Sequence, residues 1–523
     1  MTAPPPDGPA GDTRPEWLRQ LPGAGGQGKP GGPGYGWDVG PPGQRPGDAW
    51  SPTPPPERPG YGWSPVPPPP ERPRGRVRPL VAVLVLLLVV GLAAGGLVFA
   101  TRRDPGGSTA AAPGPGTPTT RAPAGATPTS RAPAASPTTP AIREVQRAVA
   151  ELRGLEFRRR VPVTVERPDK LAKRLRRVLG DETDEAEVRR QGRAMELLGQ
   201  LPRGTDLPKL LERLQAESVL GFYLPGKPPD KGGLYVRSSR GLDPYARITL
   251  AHELTHAVTD QHYDLTQADR LAAAGGHEDE LAAYTGLVEG DASLLMQRYA
   301  AERLTPQELA DAALAIARDS TPMRDAAPAA VRETMLFPYQ EGLQFVQALY
   351  QQGGWAAVDR AYRDPPTTTE QLLHPERYLG TRDRPQPVAV GDLSARLGGG
   401  WRPAADTSFG EFNARLLLRG ESGAAGAAAA AEGWDGGRLR TFQRANGTAL
   451  VIRTVWDSRA EAAEFCRAMT TWATGRFGPA AGPRRWSGAG QQTTLRCAGD
   501  RAAWLSAPDR ATLDRLTAAL GGP

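Results

Sequence analysis

The chain has 523 residues, and its 62 glycines and 54 prolines make up more than a fifth of it, which excludes one compact domain filling the whole length. The excess lies before residue 141, leaving a stretch long enough to bury a substantial core. The net charge of +7 is unevenly held, with 13 Lys and Arg against 8 Asp and Glu in residues 1–140 and 51 against 49 beyond, so the folded part lacks the basic stripe of a nucleic-acid binder.

Residues 1–78 are rich in Pro and Gly and repeat a short unit: GYGW at Gly34 returns at Gly60, and WSPTPPPERP at Trp50 returns as WSPVPPPPERP at Trp63. Such a segment cannot bury enough apolar surface to fold and is expected to be disordered, with polyproline II stretches. It reads either as a docking tail for a proline-recognising partner or as a plain cytoplasmic tail.

Residues 79–101 contain Leu80–Ala100, 21 residues without a charge, which as a helix span about 31 Å, the thickness of a bilayer core. One transmembrane helix is predicted here. Arg72, Arg74, Arg76 and Arg78 precede it, whereas only Arg102 and Arg103 follow closely. The positive-inside rule then places the tail in the cytoplasm and the rest outside the cell membrane. Residues 102–140, mostly Thr, Pro, Ala, Ser and Gly, read as a stalk. In an oxidising compartment Cys466 and Cys497 can pair, and two buried thiols are the alternative. Two cysteines supply neither a disulfide framework nor a Cys-based zinc site.

Residues 141–394 read as one domain, mostly helical with charged faces up to residue 220. GFYLPG from Gly221 and LYVRS from Leu234 then predict a β-hairpin. Leu234–Arg237 is a candidate edge strand for binding an extended peptide by strand addition.

The helical pattern ITLAHELTHAV that follows holds His252, Glu253 and His256 as HExxH. The i, i+4 spacing sets both imidazoles on one helix face, where they can share a metal, and Glu253 projects beside them. Zinc lowers the pKa of a bound water to about 7, and a neighbouring carboxylate can act as general base when that water attacks a carbonyl carbon.

A catalytic zinc needs a third protein ligand, and two residues compete for the place. His262 completes HELTHAVTDQH, the metzincin spacing with Thr259 where that pattern has glycine. If the helix runs through Thr259, His262 lies about 240° round the axis and off the metal face. A Met-turn is not evident, since Met296 and Met335 sit in helical contexts. Glu289, in LVEGDA of a later helix, is an acid among apolar residues, costly unless paired or bound to metal.

For the oxyanion donor of a peptide hydrolase, His374 and Tyr378 in LLHPERYL are candidates, after a short helix with a capping-box start at Thr367. Asp260 and Asp291 are candidates for orienting a ligand imidazole. Residues 395–523 read as a smaller α+β unit: a helix over 410–418, an Ala/Gly-rich connector, a strand from Thr448, a helix over 458–477, strands near Trp486 and Thr493, and a final helix over 508–520.

HELTHAVTDQHYDL followed by LVEGDA resembles the zincin-like, gluzincin-type neutral zinc metallopeptidases of high-GC bacteria. GFYLPG, LYVRS, FPYQEGLQFVQALY, GGWAAVDRAY, PPTTTEQLLHPERYL, GEFNARLLL and GWDGGRL extend the likeness over roughly residues 141–515. The resemblance implies an α+β fold with a mainly helical zincin-like catalytic domain, His252, His256 and Glu289 as zinc ligands, and Glu253 as base. Ser293 stands where thermolysin-like gluzincins have an Asp, which leaves the partner of the ligand histidines open.

The sequence thus predicts a membrane-anchored, extracytoplasmic zinc-dependent peptidase acting on a peptide or protein substrate, with no nucleic-acid partner. The rival readings are a zinc amidase acting on cell-wall peptides and a non-catalytic tethered binding or sensing protein with a structural metal.

Overall fold

The computed structural model describes residues 138–180, 185–225, 233–238, 241–319, 326–445 and 447–523. The predicted tail, the transmembrane segment and the stalk up to residue 137 lie outside these residues. Among the described residues no helix is long and apolar enough to cross a membrane. Elements are numbered in chain order among them.

The protein is α+β, with a three-stranded and a six-stranded sheet. Helix α1, Thr138–Arg153, leads into β1, Val163–Glu166, a strand absent from the sequence reading of this helical region. Helices α2, Pro168–Gly180, α3, Glu185–Leu197, and α4, Leu207–Ser218, follow. Next come β2, Gly221–Tyr223, and β3, Leu234–Arg237, which form the predicted antiparallel pair.

Strand β1 pairs with β3 in parallel, giving the order β1-β3-β2. That corrects the expectation for Leu234–Arg237: both sides of β3 are already hydrogen-bonded, so it cannot accept an added strand. The outermost strand on this side of the sheet is β2.

Helix α5, Pro244–Tyr263, starts where the Asp243 side chain accepts the Ala246 N–H at 2.8 Å and where Pro244 fills a first-turn position. Fifteen of its twenty residues are buried, as for a helix enclosed on every side. It ends at Asp264 in the left-handed conformation, φ 54°.

A short α6, Gln267–Ala274, precedes α7, Glu278–Arg303, then α8, Pro306–Arg318, and α9, Ala329–Arg363. Helices α7 and α9 cross at glycines. A Cβ at Gly290 would lie 2.1 Å from the Gly342 carbonyl oxygen, and one at Gly342 would lie 2.1 Å from that of Gly286. Only residues without a side chain permit so close an approach.

Two one-turn helices, α10, Thr369–Leu373, and α11, Pro375–Leu379, follow. Thr368, rather than the predicted Thr367, caps α10 by accepting the Gln371 N–H.

After α12, Ser394–Leu397, come β4, Arg402–Ser408, α13, Glu411–Ala431, β5, Trp434–Arg444, and β6, Gly447–Trp456. Helix α14, Arg459–Phe477, β7, Arg485–Gly488, β8, Gln491–Ala498, β9, Arg501–Ala507, and α15, Arg510–Leu520, complete the chain. The antiparallel sheet has the order β4-β5-β6-β9-β8-β7.

Leu418, Phe465, Met469 and Trp504 belong to the apolar layer that carries α13 and α14, whereas Trp401, Phe442 and Leu516 belong to the one that carries α12 and α15. Cys466 on α14 and Cys497 on β8 form a disulfide. The Ala/Gly-rich connector is helical: α13 bends at Gly423, φ 67°, and runs on through the alanines, which have the highest helix propensity.

The buried Asp279 at the start of α7 ties this sheet to the helices. Its N–H donates to Ser408 Oγ at 2.8 Å, and its carboxylate accepts Thr369 Oγ1–H at 2.6 Å and Thr369 N–H at 3.1 Å.

Candidate metal centre

Helix α5 projects His252 and His256 from adjacent turns, and α7 brings Glu289 against them. His252 Nε2 lies 3.1 Å from His256 Nε2 and 3.2 Å from Glu289 Oε2, and His256 Nε2 lies 3.5 Å from the same oxygen. His252, His256 and Glu289 are 5 %, 4 % and 0 % exposed, and their donor atoms lie within 4.8 Å of one another.

Burial pushes the Glu289 carboxyl up, but the imidazoles, His256 foremost, outweigh it and hold it at about 2. His252 is lowered, mainly by burial. A carboxylate and two imidazoles buried together, with Glu289 Oε1 left without a hydrogen-bond partner, are the donor set of a divalent cation bound by nitrogen and oxygen. The residues fit a metal.

Glu253 is 1 % exposed, and its Oε2 has no hydrogen-bond partner. Burial raises its pKa well above the usual carboxylate range, the Glu289 charge adds to this, and a hydrogen bond from the Tyr223 backbone N–H opposes it.

The outward edge of β2 therefore faces the carboxylate. A Cβ at Gly221 would stand 3.1 Å from Glu253 Oε1 and 3.0 Å from the Tyr235 carbonyl oxygen, so glycine there lets the strand come close. A strut fixes the strand to the helix: Tyr223 Oη–H donates to Asp260 Oδ2 at 2.7 Å, and Arg159 also binds that carboxylate.

On the other side of α7 a buried network braces the two helices. The Arg153 guanidinium, fully buried, donates to Asp291 at 2.8 and 3.3 Å and pairs with Asp359 at 2.8 Å. Asp291 also accepts the hydroxyls of Tyr362 at 3.0 Å and Thr259 at 3.3 Å. Asp260 and Asp291 thus serve the strut and the brace.

Helix α5 continues through Thr259, which turns His262 away. Its Nε2 bonds the Glu156 carbonyl at 2.9 Å, while Glu289 joins the histidine pair.

His374 and Tyr378 are not brought to the cluster. His374 Nε2 lies 3.1 Å from Glu411 Oε1, which also binds Arg415, and the His374 pKa is raised chiefly by that Glu411 bond. Tyr378 Oη–H donates to the Asp364 carbonyl at 2.7 Å. Both side chains fasten loops.

Tyr339, on α9, was missed in the sequence. It is 3 % exposed and stacks on His252, with ring centroids 6.2 Å apart and planes inclined by 28°. Its hydroxyl lies against the Glu289 carboxylate without forming a hydrogen bond of good geometry. Burial, then the charges of Glu289 and Glu253, raise its pKa well above the ordinary phenol value. The available signal was FPYQEG, where the tyrosine stands three residues before the glycine of the helix crossing.

Among the described residues a second acidic group, Glu370, Asp383 and Asp457, has suitable spacing for a cation. Its centre is taken by Arg377 Nη1, at 2.6 Å from Asp383, 2.9 Å from Asp457 and 3.3 Å from Glu370.

A family model described as Domain of unknown function (DUF8575) matches residues 396–517, the region of the six-stranded sheet rather than the metal cluster. No curated protein matches the chain, and no solved structure matches it.

Proposed function

We propose that the chain is a zinc-dependent peptidase of the zincin-like, gluzincin type, with His252, His256 and Glu289 as ligands and Glu253 as general base. One observation carries the reading. Three buried donor atoms converge, and beside them lies a buried carboxylate that accepts the Tyr223 N–H from the edge of a strand and keeps its second oxygen without a partner.

When bound, zinc supplies Lewis acidity toward water and a carbonyl oxygen. This chain's residues do the rest. Glu253 takes a proton from water as its oxygen adds to the carbonyl carbon, then delivers a proton to the leaving nitrogen. Apart from the Tyr223 N–H, which donates to Glu253, the outward edge of β2 offers backbone groups for aligning an extended peptide, and the Tyr223–Asp260 strut keeps that edge at a fixed distance from the base.

The Cys466–Cys497 disulfide and the apolar run Leu80–Ala100 support an extracytoplasmic, single-pass placement with the N-terminus in the cytoplasm. The deep burial of the cluster favours a second reading, a structural metal in a tethered binding protein. Three ligands and a base with one oxygen left without a partner favour catalysis, since structural zinc sites are closed by four protein ligands. Cleavage of unfolded casein against release of peptides from peptidoglycan separates a peptidase from a cell-wall amidase.

The test is Glu253→Gln in the full chain. Zinc should stay at one per chain while hydrolysis of casein falls by at least 10³-fold. Undiminished turnover would overturn the mechanism.

A further inference from the structure

We infer that Tyr339 is the hydrogen-bond donor that steadies the negative charge developing on the scissile carbonyl oxygen. The inference rests on the peptidase reading above. It fills the role for which the sequence suggested His374 or Tyr378, both of which are committed to other partners.

Three features of the structure converge on this residue. The phenol is buried and its hydroxyl, set against the Glu289 carboxylate, makes no hydrogen bond of good geometry, a costly state that natural proteins keep where a ligand satisfies the group. The ring is held by stacking on the ligand His252, so the hydroxyl is preorganised rather than free to swing. Its helix cannot drift, because Gly342, one turn on, is locked against Gly286 and Gly290 of the helix that carries Glu289. The hydroxyl thereby lies beside the Glu289 carboxylate and within the field of Glu253.

In the reaction the oxygen of water bonds to the carbonyl carbon, and one water proton passes to Glu253. The π electrons of the carbonyl move to its oxygen, toward which the Tyr339 O–H points. As the C–N bond breaks, those electrons re-form the carbonyl, and Glu253 gives its proton to the nitrogen. An acid and an amine result, and Tyr339 retains its own proton throughout.

The test uses the full chain, native and Tyr339→Phe, which keeps the stacked ring. The readouts are zinc per chain, the visible spectrum of the cobalt(II)-substituted protein, and kcat and KM on a quenched fluorescent peptide built around a casein bond that the native chain cleaves. A fourth is the affinity for a phosphinic analogue of that peptide.

Expected are unchanged zinc and cobalt spectrum, KM within about threefold, and kcat lower by about 10²–10³, the usual effect of removing an oxyanion donor. The phosphinic affinity should fall with kcat, because the analogue copies the tetrahedral state. Tyr378→Phe should leave kcat within about twofold. A kcat within threefold of native in Tyr339→Phe would overturn the assignment. So would loss of zinc or an altered cobalt spectrum in that variant, which would make Tyr339 a residue that positions Glu289. If the native chain itself holds zinc and cleaves nothing, the peptidase reading fails and the assignment with it, an outcome visible without the variant.

Discussion

Replacing Gly290 by alanine sets two physical effects against each other. Helix propensity alone predicts that Gly→Ala inside a helix stabilises by about 1 kcal/mol. The packing predicts the reverse, because the new Cβ would sit 2.1 Å from the Gly342 carbonyl oxygen and 2.8 Å from Val346 Cγ2. Ordinary contact begins near 3.4 Å, so α7 and α9 must separate by about 1.3 Å at a point where both sides are backbone.

Overpacking a core costs about 1–3 kcal/mol. The upper end applies where no side chain can yield, which leaves a net loss of about 2 kcal/mol after the propensity gain. For a folded part of this size that is a fall of roughly 2–3 °C in Tm. Because the same separation moves Glu289 and Tyr339, zinc affinity should fall as well. Differential scanning of the full chain, with Gly391→Ala as control where nothing lies within 4 Å, reads the sign directly. A Gly290→Ala chain with an unchanged or higher Tm would refute the close crossing.

Two further outcomes follow from the joints. Replacing Cys466 and Cys497 by serine removes a cross-link between residues 31 apart and should cost about 3–4 kcal/mol on the chain-entropy scale, read by denaturant unfolding; equal midpoints with and without the pair would contradict it. His374, raised by its Glu411 bond, contributes stability fully present below its unfolded pKa of about 6.5 and lost as pH climbs through the higher folded value. The Tm gap between the native chain and His374→Gln should therefore be widest in acid and close on the alkaline side, and a gap that widens with pH would show the sign to be wrong.

The site was legible where chemistry forces spacing. Two histidines one turn apart must share a helix face, and an acid embedded in an apolar helix needs a partner, so His252, His256 and Glu289 could be read before any fold was known. His262 stayed a rival in the sequence, disfavoured by helical phase if the helix ran on and by the family resemblance, and α5 is indeed continuous through Thr259.

What was hidden depended on contacts between distant segments. Strand β1 is four residues long in a charged, helical neighbourhood, and only its pairing with β3 makes it a strand. That pairing makes Leu234–Arg237 the central strand and leaves Gly221–Tyr223 at the side of the sheet that meets α5. Likewise Asp260 and Asp291 resemble surface acids in sequence, and it is Tyr223, Arg153 and Tyr362, from three other elements, that give them work. Tyr339 became visible only once the glycine crossing placed its helix over Glu289. The alanine-rich half of α13 was misread for a simpler reason, that its glycines outweighed alanine's helix propensity in the reading.

The most direct measurement is zinc per chain in the native protein, Glu289→Ala and His262→Ala, by elemental analysis of the purified full chain. The account predicts one zinc in the native chain, loss in Glu289→Ala and retention in His262→Ala. Zinc kept without Glu289 and lost without His262, or no zinc in the native chain, would contradict it.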